Sequence, residues 1–156
     1  MEDHQRFMQI AIDLSIQNIK QGGGPFGAVI VKDGEIVAAM ANSVTNDNDP
    51  TAHAEVNAIR QAAKKLNTFD LSGCDIYASC EPCPMCLGAI YWARIDNLYF
   101  ANHKSDAKAI GFDDSFIYDE IELPYEKRKI KTTQMMREEG LEAFKLWEEF
   151  EDKTEY

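Results

Sequence analysis

The chain contains 156 residues, of which 45% are hydrophobic and 28% are charged, and its net charge at neutral pH is −11. This length and composition predict one globular domain, residues 1–156, with its own hydrophobic core, and they exclude a disordered chain. There is no run of about eighteen apolar residues and no N-terminal signal peptide, so we expect a cytoplasmic protein without a membrane partner. The acidic balance argues against a nucleic-acid partner, whose phosphates need a basic surface, and favours a small neutral ligand.

Helices and strands are predicted to alternate along the chain. Apolar residues three and four apart predict a first helix over residues 3–21, and a Gly-rich run ends it. An Asp33–Gly34 pair between two β-prone runs predicts a hairpin. The alternation predicts a central sheet that is covered by helices on both faces. The predicted strands cover residues 28–31, 36–40, 75–78, 98–101 and 130–136, and the later helices run from Asp49 to about Leu66, from Cys83 through Trp92, and from Leu141 onward.

The start of the second helix is marked by two residues. Asp49 is expected to cap this helix, and Pro50 suits its first position. Several other conspicuous side chains are expected to be structural, with the apolar ones in the core and the histidines at the surface. The predicted core residues are Cys74, Met135, Met136, Phe144, Trp147 and Phe150, and the predicted surface residues are His4 and His103.

Three side chains have the spacing of a catalytic zinc site. His53 precedes Cys83 by about thirty residues, and Cys86 lies three residues further on. Catalytic zinc takes three protein ligands of these types and keeps a fourth position for water. Cys83 and Cys86 begin a predicted helix, so both thiols face one side, where the helix dipole favours the thiolate form. Of the four cysteines, three fall within seven residues, which predicts ligands or reduced thiols rather than disulfides.

Glu55 distinguishes catalysis from metal binding alone. Residues two apart in an α-helix are rotated by about 200° from each other, so His53 and Glu55 can share a site only beyond the helix N-terminus. At such a site Glu55 can act as general base and then as general acid towards a ring nitrogen and a leaving amine. The alternative is that Cys80 completes a closed Cys₃His site, which would be a structural zinc without catalysis.

Three sequence blocks resemble the zinc-dependent nucleobase deaminases of the cytidine-deaminase-like superfamily. These blocks are residues 24–31, 46–55 and 79–94, and they contain the His-x-Glu and Pro-Cys-x-x-Cys signature of these enzymes. The tRNA adenosine deaminases share most of them. Residues 111–118 and 153–156 resemble the small bacterial guanine deaminases in particular, so the resemblance covers nearly the whole chain.

The resemblance implies a fold, an assembly and an activity. The fold is a three-layer α/β/α arrangement around a five-stranded mixed sheet. The assembly is a homodimer, in which a C-terminal segment from about residue 120 to 156 is swapped to the partner subunit. The activity is the hydrolysis of guanine to xanthine and ammonia in purine salvage or catabolism, with one zinc ion per subunit.

The resemblance also implies roles for individual residues. The zinc ligands are His53, Cys83 and Cys86, and the proton carriers are Glu55 and Asp114. A carboxylate such as Asp114 suits guanine, because it accepts hydrogen bonds from two N–H donors of the base. Without the resemblance, residues 113–115 are equally typical of a helix N-cap. The implied substrate-binding residues are Asn42, Phe26, the Ala54 backbone, Trp92, Asp114 and Tyr156.

Three other functions remain open at the level of sequence. A tRNA adenosine deaminase would have to bind RNA, although residues 115–156 carry seven basic and twelve acidic side chains. A deaminase of another small base, such as cytosine or an aminotriazine, would share the zinc motif and differ in pocket shape. A zinc-stabilised interaction module would have no open coordination position.

Overall fold

A computed structural model describes residues 2–156, which divide into two compact units. The first unit ends at Ser115, and the second spans Phe116–Tyr156. The elements are, in chain order, α1 (Glu2–Lys20), β1 (Gly27–Lys32), β2 (Glu35–Ala41), α2 (Ala54–Leu66), β3 (Cys74–Cys80), α3 (Pro84–Trp92), β4 (Asn97–Asn102), α4 (Lys104–Ala109), α5 (Ser115–Glu122), a 3₁₀ turn (Tyr125–Lys127) and α6 (Arg137–Glu149).

The sheet of the first unit has the strand order β2-β1-β3-β4. Strand β1 is antiparallel to both of its neighbours, and β3 is parallel to β4. Consequently β2, β3 and β4 all run in one direction, opposite to β1. The predicted hairpin between β1 and β2 is confirmed, with Asp33 and Gly34 both at positive φ, as the tight turns of hairpins require.

Helices cover both faces of this sheet, which confirms the predicted layers. On one face α1 packs against β1 and β3, and on the other face α2 packs against β1 and β2 and also contacts α3. Strand β1 is buried on both faces, so its four central residues are all apolar instead of alternating. The α1 side contains Phe7, Ala11, Val29, Val31 and Tyr77, and the other side contains Ala28, Ile30, Ala54, Ala58, Ala62, Ile76 and Ile90.

The prediction of a fifth strand over residues 130–136 was wrong, and the sheet has four strands instead of five. This segment is irregular, and its Ile130 and Met135 are exposed. Its β-branched residues favour a strand only when a neighbouring strand and a packing surface are present. Within the described chain, the segment pairs with no strand of the sheet.

The second helix begins later than predicted. It starts at Ala54, with His53 in the N-cap position. The Asp49 carboxylate instead accepts hydrogen bonds from the backbone N–H of Thr51 at 2.9 Å and from its hydroxyl at 2.7 Å. Aspartate commonly closes a turn onto the residue two positions on, and this turn competes with helix capping.

The second unit has no buried residue. The apolar row of α6 is therefore exposed in the single chain, although it was predicted to lie in the core. The exposed fraction is 70% for Phe144 and 43% for Trp147. The prediction was also wrong for Phe150, Met135 and Met136, which are exposed as well. Helix α6 begins at Arg137, one turn before the predicted Leu141. Helical periodicity identifies an apolar face, but it does not show what covers that face.

The burial predictions for one cysteine and two histidines are confirmed, with one addition. Cys74 is buried, and His4 and His103 are exposed. His4 nevertheless has a partner, because its Nδ1 lies 2.7 Å from the hydroxyl of the buried Tyr77. Helices α4 and α5, which occupy most of residues 104–122, were not predicted. Among the described residues, no helix combines the length and the apolar character needed to span a membrane.

Gly27→Ala is expected to lower the free energy of unfolding by about 1–3 kcal/mol, the usual cost of overpacking a core. A Cβ at Gly27 would overlap the Ala11 carbonyl oxygen and lie 3.0 Å from Leu14 Cβ, because α1 crosses β1 closely at this point. Denaturant unfolding measures the effect. Gly140→Ala is the control, since a Cβ at this position would meet nothing within 4 Å. This substitution should stabilise α6 slightly, because alanine favours the helix more than glycine does. Equal stability of the two variants would contradict the tight contact.

Candidate active site

Two helix N-termini bring the predicted metal ligands together. His53 occupies the N-cap position of α2, and Cys83 occupies the N-cap position of α3, with Pro84 directly after it. Cys86 lies in the first turn of α3 and is buried. The prediction that both helix N-termini point at one site is therefore confirmed. The two α-helix dipoles place partial positive charge there, which favours thiolates.

The spacing of the three donor atoms matches tetrahedral zinc. His53 Nδ1 lies 3.5 Å from Cys83 Sγ and 3.4 Å from Cys86 Sγ. A tetrahedral ion with Zn–S bonds of about 2.3 Å and a Zn–N bond of about 2.0 Å separates nitrogen and sulfur by roughly 3.5 Å. All three donor atoms lie within 4.8 Å of one another. The residues therefore form a zinc site that needs little rearrangement to hold the ion.

The two cysteine thiols are electrostatically coupled. A hydrogen bond between the sulfur atoms lowers the pKa of Cys83 to about 4, and the same contact raises the pKa of Cys86. The hydrogen bond between His53 and Cys83 also raises the pKa of the imidazole. A divalent cation would take both sulfur atoms as thiolates.

Cys80 does not belong to the donor cluster. Its thiol donates a hydrogen bond to the His103 carbonyl oxygen at 3.7 Å, and burial raises its pKa to about 11. The cluster within the described residues consists of His53, Cys83 and Cys86. With three ligands, the site keeps a coordination position open, which is typical of catalytic zinc and not of a closed structural site.

Two of the three ligands, His53 and Cys83, line a cavity of about 590 Å³, whose lining residues all lie between Gly22 and Asp114. This volume falls within the range of small-molecule sites. The cavity brings Phe26, Asn42, Glu55 and Asp114 together with His53 and Cys83. Four of the predicted site residues that are not metal ligands thus share one pocket with the metal site.

Glu55 is almost completely buried, with 7% of its surface exposed. Burial is the main cause of its raised pKa, and a hydrogen bond with Cys86 opposes the shift. A carboxyl group with a raised pKa can hold a proton closer to neutral pH than an exposed one can. Its position beside Cys86 and its protonation behaviour both suit proton transfer at the metal site.

Asp114 is not used as a helix cap. The neighbouring Asp113 accepts the hydrogen bond from the Ser115 backbone N–H at 2.9 Å, at the start of α5. Asp114 instead lines the cavity and is partly buried, and burial raises its pKa. The capping pattern in residues 113–115 is therefore real, but it involves the first aspartate and leaves the second for the pocket.

Of the other predicted binding residues in the first unit, Ala54 and Trp92 are not part of the cavity lining. Ala54 is fully buried as the first residue of α2, where backbone N–H groups have no acceptor within the helix. Trp92 ends α3 and is 66% exposed. Tyr156 belongs to the second unit and is 75% exposed.

Sequence reasoning missed several residues of the cavity wall, among them Phe112 and Lys104. Phe112 packs edge-on against Phe26, with ring centroids 5.0 Å apart. The unusually aromatic stretch of residues 111–118 was a usable signal for Phe112. Lys104 is a single lysine after a strand, and no local pattern distinguishes it from other surface lysines.

Cys83→Ser is expected to abolish stoichiometric zinc binding, whereas Cys80→Ser is expected to retain about one zinc ion per chain. The two variants each remove one thiol near the pocket, so each is the control for the other. Metal analysis after gel filtration measures the zinc content. Loss of zinc from Cys80→Ser would show that Cys80 is a ligand and would restore the structural-zinc alternative.

Comparisons with known proteins agree with this site. The family model of the cytidine and deoxycytidylate deaminase zinc-binding region matches residues 1–102. Guanine deaminase of Bacillus subtilis is 53% identical over 155 residues, or 99% of each chain. An X-ray structure of guanine deaminase from the same species has a TM-score of 0.96 and covers 98% of each chain at 53% identity.

Two more distant relatives match a smaller part of the chain. A solved structure of guanine deaminase from Nitrosomonas europaea has a TM-score of 0.67 at 37% identity and covers 69% of this chain and 63% of its own. The tRNA-specific adenosine deaminase of Aquifex aeolicus is 43% identical over 95 residues, which is 61% of this chain and 63% of that protein. Because the family model covers most of the chain and a relative matches it from end to end, the chain belongs to the cytidine and deoxycytidylate deaminase family of zinc-binding proteins.

Proposed function

We propose that the protein is a guanine deaminase, which hydrolyses guanine to xanthine and ammonia in purine salvage or catabolism. The main support is the 53% identity to Bacillus subtilis guanine deaminase over 99% of both chains. The tRNA-specific enzyme of Aquifex aeolicus matches 61% of this chain. We place the protein in the cytoplasm, where the two thiolate ligands stay reduced.

The reaction replaces the C2 amino group of guanine by an oxygen from water. His53, Cys83 and Cys86 would hold the zinc ion, which would lower the pKa of a bound water molecule so that a hydroxide nucleophile is available at neutral pH. The Glu55 carboxylate would accept one proton from that water and deliver it to a ring nitrogen beside C2, and it would then carry the second proton of the water to the departing amine. Its burial and its raised pKa support this role.

Asp114 is proposed as the second catalytic carboxylate. Guanine presents adjacent N–H donors around C2, and a carboxylate can accept two of them. The amine leaves from a carbon flanked by two ring nitrogens, so a second proton carrier opposite Glu55 assists its departure. Asp114 lies in the cavity wall with a raised pKa, which supports both tasks.

The remaining proposed contacts hold the base in place. Phe26 provides an aromatic wall that is braced by Phe112, and Asn42 provides a polar group in the wall. The Ala54 backbone N–H, at the start of α2, can donate to the base. These groups together provide an apolar slot with a few polar contacts, which is typical of small-molecule sites.

We also propose a homodimer in which residues from about 120 to 156 cross to the partner subunit. The second unit has no buried residue, although it carries the exposed apolar side chains of α6. Exposed apolar surface of this extent usually marks an interface. In this proposal Tyr156 closes over the partner's pocket, and Trp92, which is exposed in the single chain, completes a pocket wall in the assembly.

The wild-type zinc protein is expected to release ammonia from guanine, and not from adenine, cytosine, adenosine or a tRNA anticodon stem-loop. Asp114→Ala and Glu55→Gln are expected to lower kcat by about 10²–10⁴, the usual contribution of a general acid or base, while both keep their zinc. Ammonia release and zinc content are measured on the same samples. Release from the stem-loop would make the protein a tRNA editor, and zinc binding without release from any substrate would favour a non-catalytic module.

Mixing two inactive variants tests the swap. If Tyr156 serves the partner's pocket, a mixed dimer of Asp114→Ala and Tyr156→Ala chains has one site with both residues intact. An equal mixture, unfolded and refolded together, is then expected to recover about a quarter of wild-type activity, because half of the dimers are mixed and each has one intact site. No recovery above the separate variants would place Tyr156 over the pocket of its own chain or outside both.

A further inference from the structure

Asn57 lies near the start of α2 and is half-buried. Its side-chain nitrogen donates a hydrogen bond to the Ala41 carbonyl oxygen, at the end of β2, over 3.0 Å. The same nitrogen lies 3.0 Å from the Ser43 hydroxyl and 3.4 Å from the Ala52 carbonyl oxygen. Two of these three neighbours are carbonyl oxygens, which can only accept, so the donor end of the carboxamide belongs here. Asn57 thus joins the helix to three points of the chain.

Two of these points are the ends of one loop, residues 43–52. The Ser43 backbone N–H donates to the Ala52 carbonyl oxygen at 2.8 Å, so the backbone closes the loop where Asn57 contacts it. Inside the loop, the Asp47 N–H donates to the Ser43 carbonyl oxygen at 2.8 Å. The loop is therefore a compact segment with its own hydrogen bonds and with its two ends close together. Its position relative to α2 depends on the point where it closes.

The loop leads directly into the metal site. His53 follows it and takes the N-cap position of α2, with an extended backbone at φ −69° and ψ 156°. An N-cap residue lies outside the regular helical backbone, so the segment before it sets its position as much as the helix does. The position of the His53 imidazole therefore depends on how the end of the loop is held. The loop also contributes three residues to the cavity lining, Val44, Thr45 and Pro50.

We propose that Asn57 is a positioning residue for the metal site, which fixes the closed end of the loop and so places the His53 imidazole opposite the two cysteine thiols. The imidazole nitrogen already lies 3.5 and 3.4 Å from the two sulfur atoms, close to the spacing that zinc requires. Groups that orient a metal ligand typically raise metal affinity by about 10- to 100-fold. The inference deepens the proposed function and rests on it, because guanine hydrolysis needs the ion at this site.

The test is the zinc affinity of two Asn57 variants, measured on the full chain by competition with a chromophoric chelator. Asn57→Ala is expected to bind zinc about tenfold more weakly, the lower end of that range, because Asn57 acts through the backbone. Asn57→Asp keeps the shape of the side chain, but its ionised form has no donor. It is expected to lose at least as much affinity. An unchanged zinc affinity in either variant would overturn the proposal.

The matched control is Gln61→Ala, one turn further along α2. Gln61 also joins this helix to β2, because its side-chain oxygen accepts a hydrogen bond from the Ala39 backbone N–H at 3.1 Å. Ala39 lies within β2 and not at the loop. Gln61→Ala is therefore expected to keep the wild-type zinc affinity. A loss equal to that of Asn57→Ala would show that any loosening of α2 weakens the site, and it would overturn the specific role of Asn57.

Ser43→Ala tests the same contact from the loop, and it replaces Asn57→Ala if that variant does not fold. It is expected to weaken zinc binding by a smaller factor, since it removes one of three acceptors. The double variant should bind zinc no more weakly than Asn57→Ala alone, because both changes break the same contact. An unchanged affinity in Ser43→Ala, or additive losses in the double variant, would overturn the proposal.

Ammonia release from guanine is measured separately on the wild-type protein. No release would refute the proposed function, and the zinc affinities of the variants would still test the role of Asn57. Guanine turnover by the wild-type protein, together with an unchanged zinc affinity in Asn57→Ala, would refute this inference alone.

Discussion

The position of the site depends on the direction of strand β1 relative to its neighbours. Because β2, β3 and β4 are parallel to one another and β1 is antiparallel to β2 and β3, the ends of three strands and the start of the fourth meet at one edge of the sheet. Asn42 follows β2, Cys83 follows β3, Lys104 follows β4, and Phe26 precedes β1. These four segments surround one cavity, together with the two helix N-termini that carry the ligands. A different strand order would separate the ligands.

Local patterns were sufficient for the elements that their own residues stabilise. The hairpin turn requires positive φ at two positions, and an Asp-Gly pair allows it. The metal ligands were equally predictable, because His53, Cys83 and Cys86 must occupy the first positions of two helices for their donors to meet. The wrong predictions concern residues whose strand pairing or burial depends on a separate segment that packs against them. The segment from residue 130 to 136 lacks a partner strand in the chain, and the apolar face of α6 lacks a covering surface.

The cavity wall was less predictable than the metal site. Asn18 and Asn42 are 24 residues apart in sequence and adjacent in space, and no spacing rule links the end of a helix to the end of a hairpin. Only the folded backbone shows that two glycines admit the two amides. Asp113 and Asp114 illustrate the same difficulty, because two adjacent aspartates have different tasks. Asp113 accepts a hydrogen bond at the start of α5 and Asp114 lines the cavity, and only the structure assigns each residue.

The metal site alone does not select a substrate. Its ligand types and geometry suit hydrolytic attack on an amidine carbon of many bases, and the relatives of this chain include proteins named for guanine and for tRNA adenosine. We propose that selection comes from the walls that surround the metal site, where Asn42 and Asp114 line the cavity. A carboxylate at Asp114 can accept two N–H bonds. Guanine offers adjacent N–H donors around C2, whereas adenine has none there. In this proposal the substrate is chosen by hydrogen-bond polarity in the cavity wall, and the zinc centre is common to the family.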